Sequence, residues 1–401
     1  MEKKLKIAII GTGTRGINCF GEILRKRDDV EISALCDTNL VRVKAAAEIL
    51  KINANCYTSI SEMAAKEVLD GVIITTPDNE HFNCAMQALK SGWNVLIDKP
   101  LATNTADCKK LIEEAKKSSK TLMIGFNLRH SEVLKRLKSL IEDGTLGKVF
   151  LAENREFYDG GKTYMARWNR SFAKTGGLWI HKGSHDFDIF NWLLGFPKPL
   201  RVSAFASVNV LNDTHVPFEL EDGKTPGPNC NVCAYQDKCK DKFVLSDEEV
   251  KLWGEDAAAV DGYVKNLCMY LSEKDNHDNG VAIVEYENNI KVSLLESFIG
   301  NKTDRLYTIV GDKAIAEVSL HNCTITITPR WGGEIVTYKV PIPAGTHGGA
   351  DPGLVDTFCK VVSGEVSSTS TAEHGMLSTA LGQAAEISRR EHRMVEMSEL
   401  L

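Results

Sequence analysis

Between residues 5 and 125, short and almost uniformly apolar runs alternate with longer segments whose apolar positions recur every three to four residues. The runs are KIAIIG, EISALCD, GVIITTP, NVLIDKP and TLMIGF, rich in Ile and Val. No polar face alternates through them, so each predicts a strand covered on both sides, as in a parallel sheet. GINCFGEILRKR, LVRVKAAAEILK, NEHFNCAMQALKSG and TADCKKLIEEAKKS carry the helical period between them. The alternation predicts a doubly wound α/β domain over residues 1–125.

After about residue 126 the rhythm changes. HSEVLKRLKSLIEDG predicts a helix that stops at Gly144. VAIVEYENNIKVSLLESF, RLYTIVGDKAIAEVSL and TITITPRW then alternate with period two, and ENN and GDK are suited to hairpins. This predicts an α+β domain over residues 126–401, built on a large, mostly antiparallel sheet. Residues 212–279 read as an irregular, cysteine-bearing insertion. Helices at 351–364 and 371–390 close the chain, the second with Ser370 and Glu373 as a capping box.

Bulk properties narrow the class. A chain of 401 residues is too long for one ordinary core. Apolar and charged fractions of 43% and 25% are those of a globular protein, and a net charge of −6 supplies no footprint for nucleic acid. No apolar run is long enough to span a bilayer. MEKKLKIAIIG offers about five apolar residues, short of the roughly 7–15 of a signal peptide, so a cytoplasmic location is expected. The 11 cysteines then read as thiols or metal ligands rather than disulfides.

KIAIIGTGTRG places Gly11, Gly13 and Gly16 directly after a strand and at the start of a helix. Gly11 permits the tight turn, Gly13 lets the backbone approach a pyrophosphate, and Gly16 lets the helix pack on the sheet. Asp37 ends the second strand, where an acidic group binds ribose hydroxyls. Its charge would repel a 2′-phosphate and no Arg follows immediately. NAD is therefore favoured over NADP, with Arg42 the nearby cation that works against that preference. The expected cofactor site comprises Gly11, Thr12, Gly13, Thr14, Arg15, Gly16, Asp37, Thr75, Pro77, His81, Asp98 and Lys99. His81 also suits a capping or packing role.

NVLIDKPLATN sets Asp98, Lys99 and Pro100 at the C-terminal edge of a strand, where ligands bind in open α/β sheets. GTGTRG, DKP and GGLWIHKGSHDFD follow one another in this order. Together they resemble the glucose–fructose oxidoreductase / inositol dehydrogenase / MocA (Gfo/Idh/MocA) family of NAD(P)-dependent oxidoreductases, over nearly the whole chain. The resemblance implies an N-terminal Rossmann domain and a C-terminal domain on a large, mostly antiparallel sheet. It makes Lys99 the catalytic lysine, with Asp98 in place of the family's usual Glu.

The stretch 176–195 predicts a helix from about Leu178, with His181, His185, Asp188 and Trp192 along one face. A metal pair is disfavoured, because Lys182 stands where a His-Glu-x-x-His hydrolase has its base and no third ligand is obvious. Two core histidines are disfavoured by the nearby Gly pair and Asp188. An acid/base role fits best. By resemblance, His185 matches the family's catalytic His and Asp188 the following Asp. His181 stands where many members carry Asp, and Lys182 beside it is a further candidate catalytic group.

Oxidation of a secondary alcohol requires loss of a hydride from carbon and a proton from oxygen. An imidazole suits the proton, and a cationic Lys the developing alkoxide. A substrate wall is expected from Asn127, Arg129, Arg155, Tyr158, Tyr164, Trp168, Asn169 and Arg170, with Asp188, since rings and multidentate donors suit a polyhydroxylated ring. NCNVCAYQDKC adds Cys230, Cys233 and Cys239, a spacing open to a structural zinc with Cys268 or His215 as fourth ligand, to an iron–sulfur cluster, or to plain thiols. The expected activity is NAD-dependent oxidation of a sugar or glycoside, with carbon three of a glycoside favoured. Inositol dehydrogenase is the alternative. A dinucleotide-binding sensor without turnover and a metal-dependent hydrolase or lyase are the other classes. Family resemblance also implies a homo-oligomer, a dimer or tetramer joined through the large sheet.

Overall fold

The computed structural model describes residues 4–344 and 346–401. They form two compact units. One takes in the chain up to Phe126 together with Glu221–Leu267 and Asp351–Met376; the other takes in Asn127–Leu220, Cys268–Ala350 and Leu377–Leu401.

In the first unit, six parallel strands are β1 (Leu5–Ile10), β2 (Val30–Cys36), β3 (Asn55–Tyr57), β4 (Gly71–Ile74), β5 (Asn94–Ile97) and β6 (Leu122–Ile124). Their order is β3-β2-β1-β4-β5-β6, the doubly wound arrangement. Both faces are covered, which explains the lack of a polar face. Ala8, Ile10, Val72, Ile74, Val95 and Ile97 pack toward helices Ile60–Lys66, Asp78–Lys90 and Thr105–Ser118. Ile7, Ile9, Leu35, Ile73 and Leu96 pack toward the turns after β1, helix Leu40–Leu50 and helix Ala350–Val362. Asn39, Ser59 and Asn104 cap their helices by accepting from the third backbone N–H. The short β3 and the helix Ile60–Lys66 escaped the sequence pattern, because three and seven residues are too few to show a clear period.

The cysteine insertion divides differently from the expected boundary near residue 125. Its segment Glu221–Leu267 belongs to the first unit. Helix Asp247–Trp253 starts with a complete capping box between Ser246 and Glu249 and buries Leu252 and Trp253 in the same core as β1. Each such burial contributes roughly 1.5–3 kcal/mol, enough to hold an otherwise polar segment. Asp351–Met376 also joins this unit.

The second unit holds nine strands: β7 (Val149–Phe157), β8 (Pro199–Ser207), β9 (Asn279–Tyr286), β10 (Ile290–Ser297), β11 (Asp304–Gly311), β12 (Ala314–Ser319), β13 (Thr324–Pro329), β14 (Val336–Lys339) and β15 (Val395–Glu396). The order is β14-β13-β12-β11-β7-β10-β9-β8-β15, antiparallel except where β10 runs parallel to β7. One face is buried under helices Glu132–Glu142 and Gly183–Leu193 and under Ala380, Leu381, Ala384 and Ala385 of helix Ala372–Glu391.

The predicted box at Ser370 is not the cap of that last helix. Ser370 Oγ donates to Ile124 O at 2.8 Å, and the helix begins one residue later, with Thr371 Oγ1 accepting from His374 N at 3.4 Å. Among the described residues no helix is long and apolar enough to cross a membrane.

Candidate active site

The glycine loop has the geometry its spacing implies. Gly11 takes φ +93°, and a Cβ on it would lie 2.7 Å from the backbone of Thr75 and Thr76. On Gly16 a Cβ would lie 2.3 Å from Gly11 O and 2.6 Å from Thr75 Oγ1. Both positions require glycine. At Gly13 the nearest atom would be 4.0 Å away, on Trp253, so the backbone is open to a close ligand there. Thr75 Oγ1 donates to Gly11 O at 2.6 Å and ties β4 to the loop. Pro77 precedes helix Asp78–Lys90. Asp37 follows β2 as expected. Its carboxylate accepts from Thr12 N at 2.9 Å and Thr12 Oγ1 at 3.1 Å, and Arg42 stands 3.2 Å away. These residues fit a dinucleotide, with pyrophosphate at the loop and ribose at Asp37.

Three expected cofactor contacts are engaged elsewhere. Arg15 Nε donates to Asp98 at 3.0 Å and its terminal nitrogen pairs with Asp351 at 2.9 Å. Arg15 and Asp98, both expected at the cofactor, thus hold the loop to the end of β5. His81 is 1% exposed, with Nδ1 2.6 Å from Pro100 O and Nε2 3.1 Å from Thr76 O. It braces the loops after β4 and β5 instead of facing a ligand. Lys99 follows Asp98 at the C-terminal edge of the sheet and is partly exposed.

In the second unit the histidine stretch is not one helix. Leu178–His181 forms a single turn, and Gly183–Leu193 a separate helix. His185 N bonds to Lys182 O at 3.3 Å and Ser184 Oγ to His181 O at 3.4 Å, three-residue closures that break the expected single face at Lys182. From Gly176 to Asn191 every residue is buried except His185.

The aromatic wall assembles around His181. Trp168 and Tyr164 meet its ring edge-on at 5.3 and 5.5 Å, and Asn169 Nδ2 donates to Nε2 at 2.9 Å. Tyr158 lies 5.6 Å from Tyr164, and the Lys182 ammonium sits 4.2 Å from the Tyr158 ring centre.

Other expected wall residues are directed elsewhere. Asn127 and Arg129 lie buried in the turn Asn127–His130. Arg129 grips Asp188 through two bonds of 2.8 and 2.6 Å. Burial outweighs this pairing and pushes the Asp188 carboxyl up to about 6. The pair is buried and fastens the turn Asn127–His130 to the helix Gly183–Leu193. Arg170 donates to Glu273 O and Arg167 O, and Arg155 pairs with Glu153 on the exposed face of β7.

Four buried groups of this unit had no motif. Glu156 on β7 pairs with Lys182 at 2.9 Å and Arg305 at 2.7 Å, and Arg305 also donates to Asp186 at 2.8 Å. Burial opposes ionisation of Glu156, but Arg305 and Lys182 outweigh it and hold its carboxyl low, while burial pushes Asp186 up to about 7. Strand alternation carried the signal: Glu156 follows Ala152 and Asn154 on the inward face of β7, as Glu296 follows Val292 and Leu294 on β10. A carboxylate at an inward position demands a buried partner.

Glu296 finds His277, with Nε2 at 2.5 Å and both side chains fully buried. Burial pushes the imidazole down to about 4 and the Glu296 carboxyl well above its usual range. The folded pair keeps one proton. Unfolded, the two groups carry one proton between about pH 4.3 and 6.5 and none above. Stability from the pair therefore falls as pH rises past about 6.5, by up to about 1.4 kcal/mol per pH unit. Glu296→Gln, which keeps a donor toward His277, is expected to flatten that alkaline decline in denaturant unfolding; an unchanged slope would refute the shared proton.

Among the described residues no group of three or more His, Cys, Asp and Glu is placed to hold a metal ion, and no disulfide is present. Cys233 Sγ accepts from Gly227 N at 3.3 Å and Cys230 Sγ from Phe243 N at 3.4 Å, so local backbone donors meet the sulfurs. Cys268 belongs to the second unit, packed with Tyr164, Met165 and Tyr270.

A doubly wound sheet with a glycine cradle and a carboxylate after its second strand defines a dinucleotide-binding class of protein. Residues 5–126 match the model described as "Oxidoreductase family, NAD-binding Rossmann fold", and residues 138–397 its C-terminal alpha/beta domain. The chain belongs to the Gfo/Idh/MocA oxidoreductase family and is an NAD(P)-dependent dehydrogenase. It is 27% identical to YteT of Bacillus subtilis (strain 168) across 98% of both chains. It is 27% identical to D-glucoside 3-dehydrogenase of Escherichia coli (strain K12), over 50% of this chain and 57% of that protein. With myo-inositol 2-dehydrogenase of Thermotoga maritima it shares 29% identity over 53% of this chain and 60% of the other. The fold is similar to that of the WlbA dehydrogenase of Bordetella pertussis, solved with NADH and UDP-GlcNAcA, at a TM-score of 0.70 and 20% identity, covering 98% of this chain and 99% of that one.

Proposed function

We propose that the protein oxidises a secondary alcohol of a sugar or glycoside, with carbon three of a glycoside as the favoured position, and uses NAD in preference to NADP. The observation that carries the reading is His185, the one residue between Gly176 and Asn191 that is not buried. A partly exposed imidazole in an otherwise buried segment is suited to proton transfer.

His185 takes the hydroxyl proton, and the Lys99 ammonium stabilises the alkoxide as it develops. The dinucleotide supplies, when bound, a nicotinamide that accepts the hydride. His181 and Lys182, held by Asn169 and Glu156, set the rings of Tyr158, Tyr164 and Trp168 as the wall against which a sugar stacks. The NAD preference is supported by Asp37 and by the commitment of Arg42, whose other nitrogens donate to Leu252 O at 3.2 Å and Asp261 at 2.8 Å. Inositol is the second substrate class, favoured by the myo-inositol 2-dehydrogenase relative. We assign the outer face of the nine-stranded sheet to self-association, supported by Phe205 at 72% and Ile283 at 54% exposure on adjacent strands.

Incubation with NAD and a panel of monosaccharides, aryl glucosides and inositols is expected to reduce nicotinamide fastest with a glucoside, and light scattering of the same sample should report more than one chain. Reduction by inositol alone would transfer the assignment to a cyclitol dehydrogenase. No reduction by any member would favour a sensor, and a monomeric mass would overturn the sheet interface.

A further inference from the structure

The glycine loop does not stand alone. Trp253, from the insertion, is the nearest neighbour of the open face of Gly13. Lys265, also from the insertion, is 2% exposed, and its ammonium lies 3.6 Å from the centre of the Trp253 ring. The same Nζ donates to Thr14 Oγ1 at 3.3 Å and to Glu249 at 2.7 Å. Thr14 is the residue from which the first helix of the sheet starts. The insertion is fixed over this edge: Asn39 Nδ2 donates to Ala257 O at 2.8 Å and to Asp261 at 2.9 Å, and Arg42 reaches Leu252 O and Asp261.

A Lys ammonium is a compact, strongly hydrated charge, and its removal from water is costly unless an anion compensates, as Glu249 does here at 2.7 Å. The same ammonium is also held against the indole and against Thr14 Oγ1, on a loop whose fold is to seat a pyrophosphate. We infer that Lys265 is a cofactor-binding residue, neutralising the dinucleotide pyrophosphate at the glycine loop, with Glu249 the carboxylate that holds the ammonium in readiness. The insertion is then a built part of the cofactor site, and Trp253 its roof over Gly13. The inference rests on the family's NAD-binding fold and is independent of which alcohol is oxidised.

Calorimetric titration with NAD and with ADP-ribose tests it, because both carry the pyrophosphate and only one carries nicotinamide. Lys265→Met should weaken both about 10- to 100-fold, the range for a lost charge-assisted hydrogen bond, and by the same factor. Lys265→Arg should restore most of the affinity. Wild-type protein that fails to bind NAD would strike down the cofactor reading itself. Wild-type that binds, with a folded Lys265→Met that binds equally well, would overturn this assignment alone. Loss confined to NAD would overturn it too, placing the lysine at the nicotinamide. Should Lys265→Met not fold, Lys265→Gln, which removes the charge but keeps a polar group beside Thr14, should weaken both ligands by a common factor, and unchanged binding counts against the proposal.

Discussion

His185→Ala is expected to lower kcat about 10²–10⁴-fold, the usual contribution of a positioned acid/base, with the affinity for NAD unchanged. The alcohol proton is too weakly acidic to leave by itself near neutral pH, so the variant must rely on water. Lys99→Ala should lose about 10²–10³-fold through its unstabilised alkoxide. His185 belongs to neither the glycine cradle nor the Asp37 cluster, so fluorescence titration with NAD should give wild-type affinity for His185→Ala. Turnover near the wild-type rate in both variants would sink the assigned chemistry and leave a dinucleotide-binding sensor. Loss of NAD binding together with turnover would make the Lys99 effect one of cofactor seating.

Arg305→Met should cost about 3–5 kcal/mol of stability, the penalty for removing one partner of a buried ionic cluster. Its guanidinium is the cation shared by Glu156 and Asp186, which are 1% and 0% exposed. Without it, Lys182 is left as the ion-pair partner of Glu156, and Asp186 keeps hydrogen bonds from Asn154 and, at 3.4 Å, Tyr307. The expected readout is a large drop in denaturant midpoint. Because burial already raises the Asp186 carboxyl to about 7, and the variant raises it further, the defect should be smaller in acid, where a protonated carboxyl needs no counter-charge, and should grow as pH rises. A defect independent of pH would assign the loss to packing.

Much of the fold was legible because parallel strands buried on both faces leave an unbroken apolar run, and GTGTRG after such a run has few structural uses. The glycine roles at 11 and 16 follow from steric contacts that any doubly wound turn imposes. The histidine stretch was legible in composition but not in shape. Spacing predicted one helical face for His181 and His185, whereas the chain breaks at Lys182, where Glu156 draws the ammonium inward. Asp188 and Arg129 were read as substrate contacts because polar residues near a site look alike in sequence; only their packing shows that they bind each other. The cysteine spacing was likewise ambiguous, since two sulfurs three residues apart serve a metal only if others converge on them.

The amino-acid sequence by itself determined the doubly wound domain, the glycine cradle, the acidic residue after the second strand and the family, because each rests on local patterns and their order along the chain. Tertiary structure decided what depends on distant segments. It placed Lys265 and Trp253 on a loop some 240–250 residues earlier in the chain, matched Glu156 with Arg305 and Glu296 with His277, and left His185 as the one residue of its stretch that is not buried. Periodicity reports which face of an element is covered. Which charge answers another across a core depends on the closure of the chain upon itself, and no local pattern encodes that.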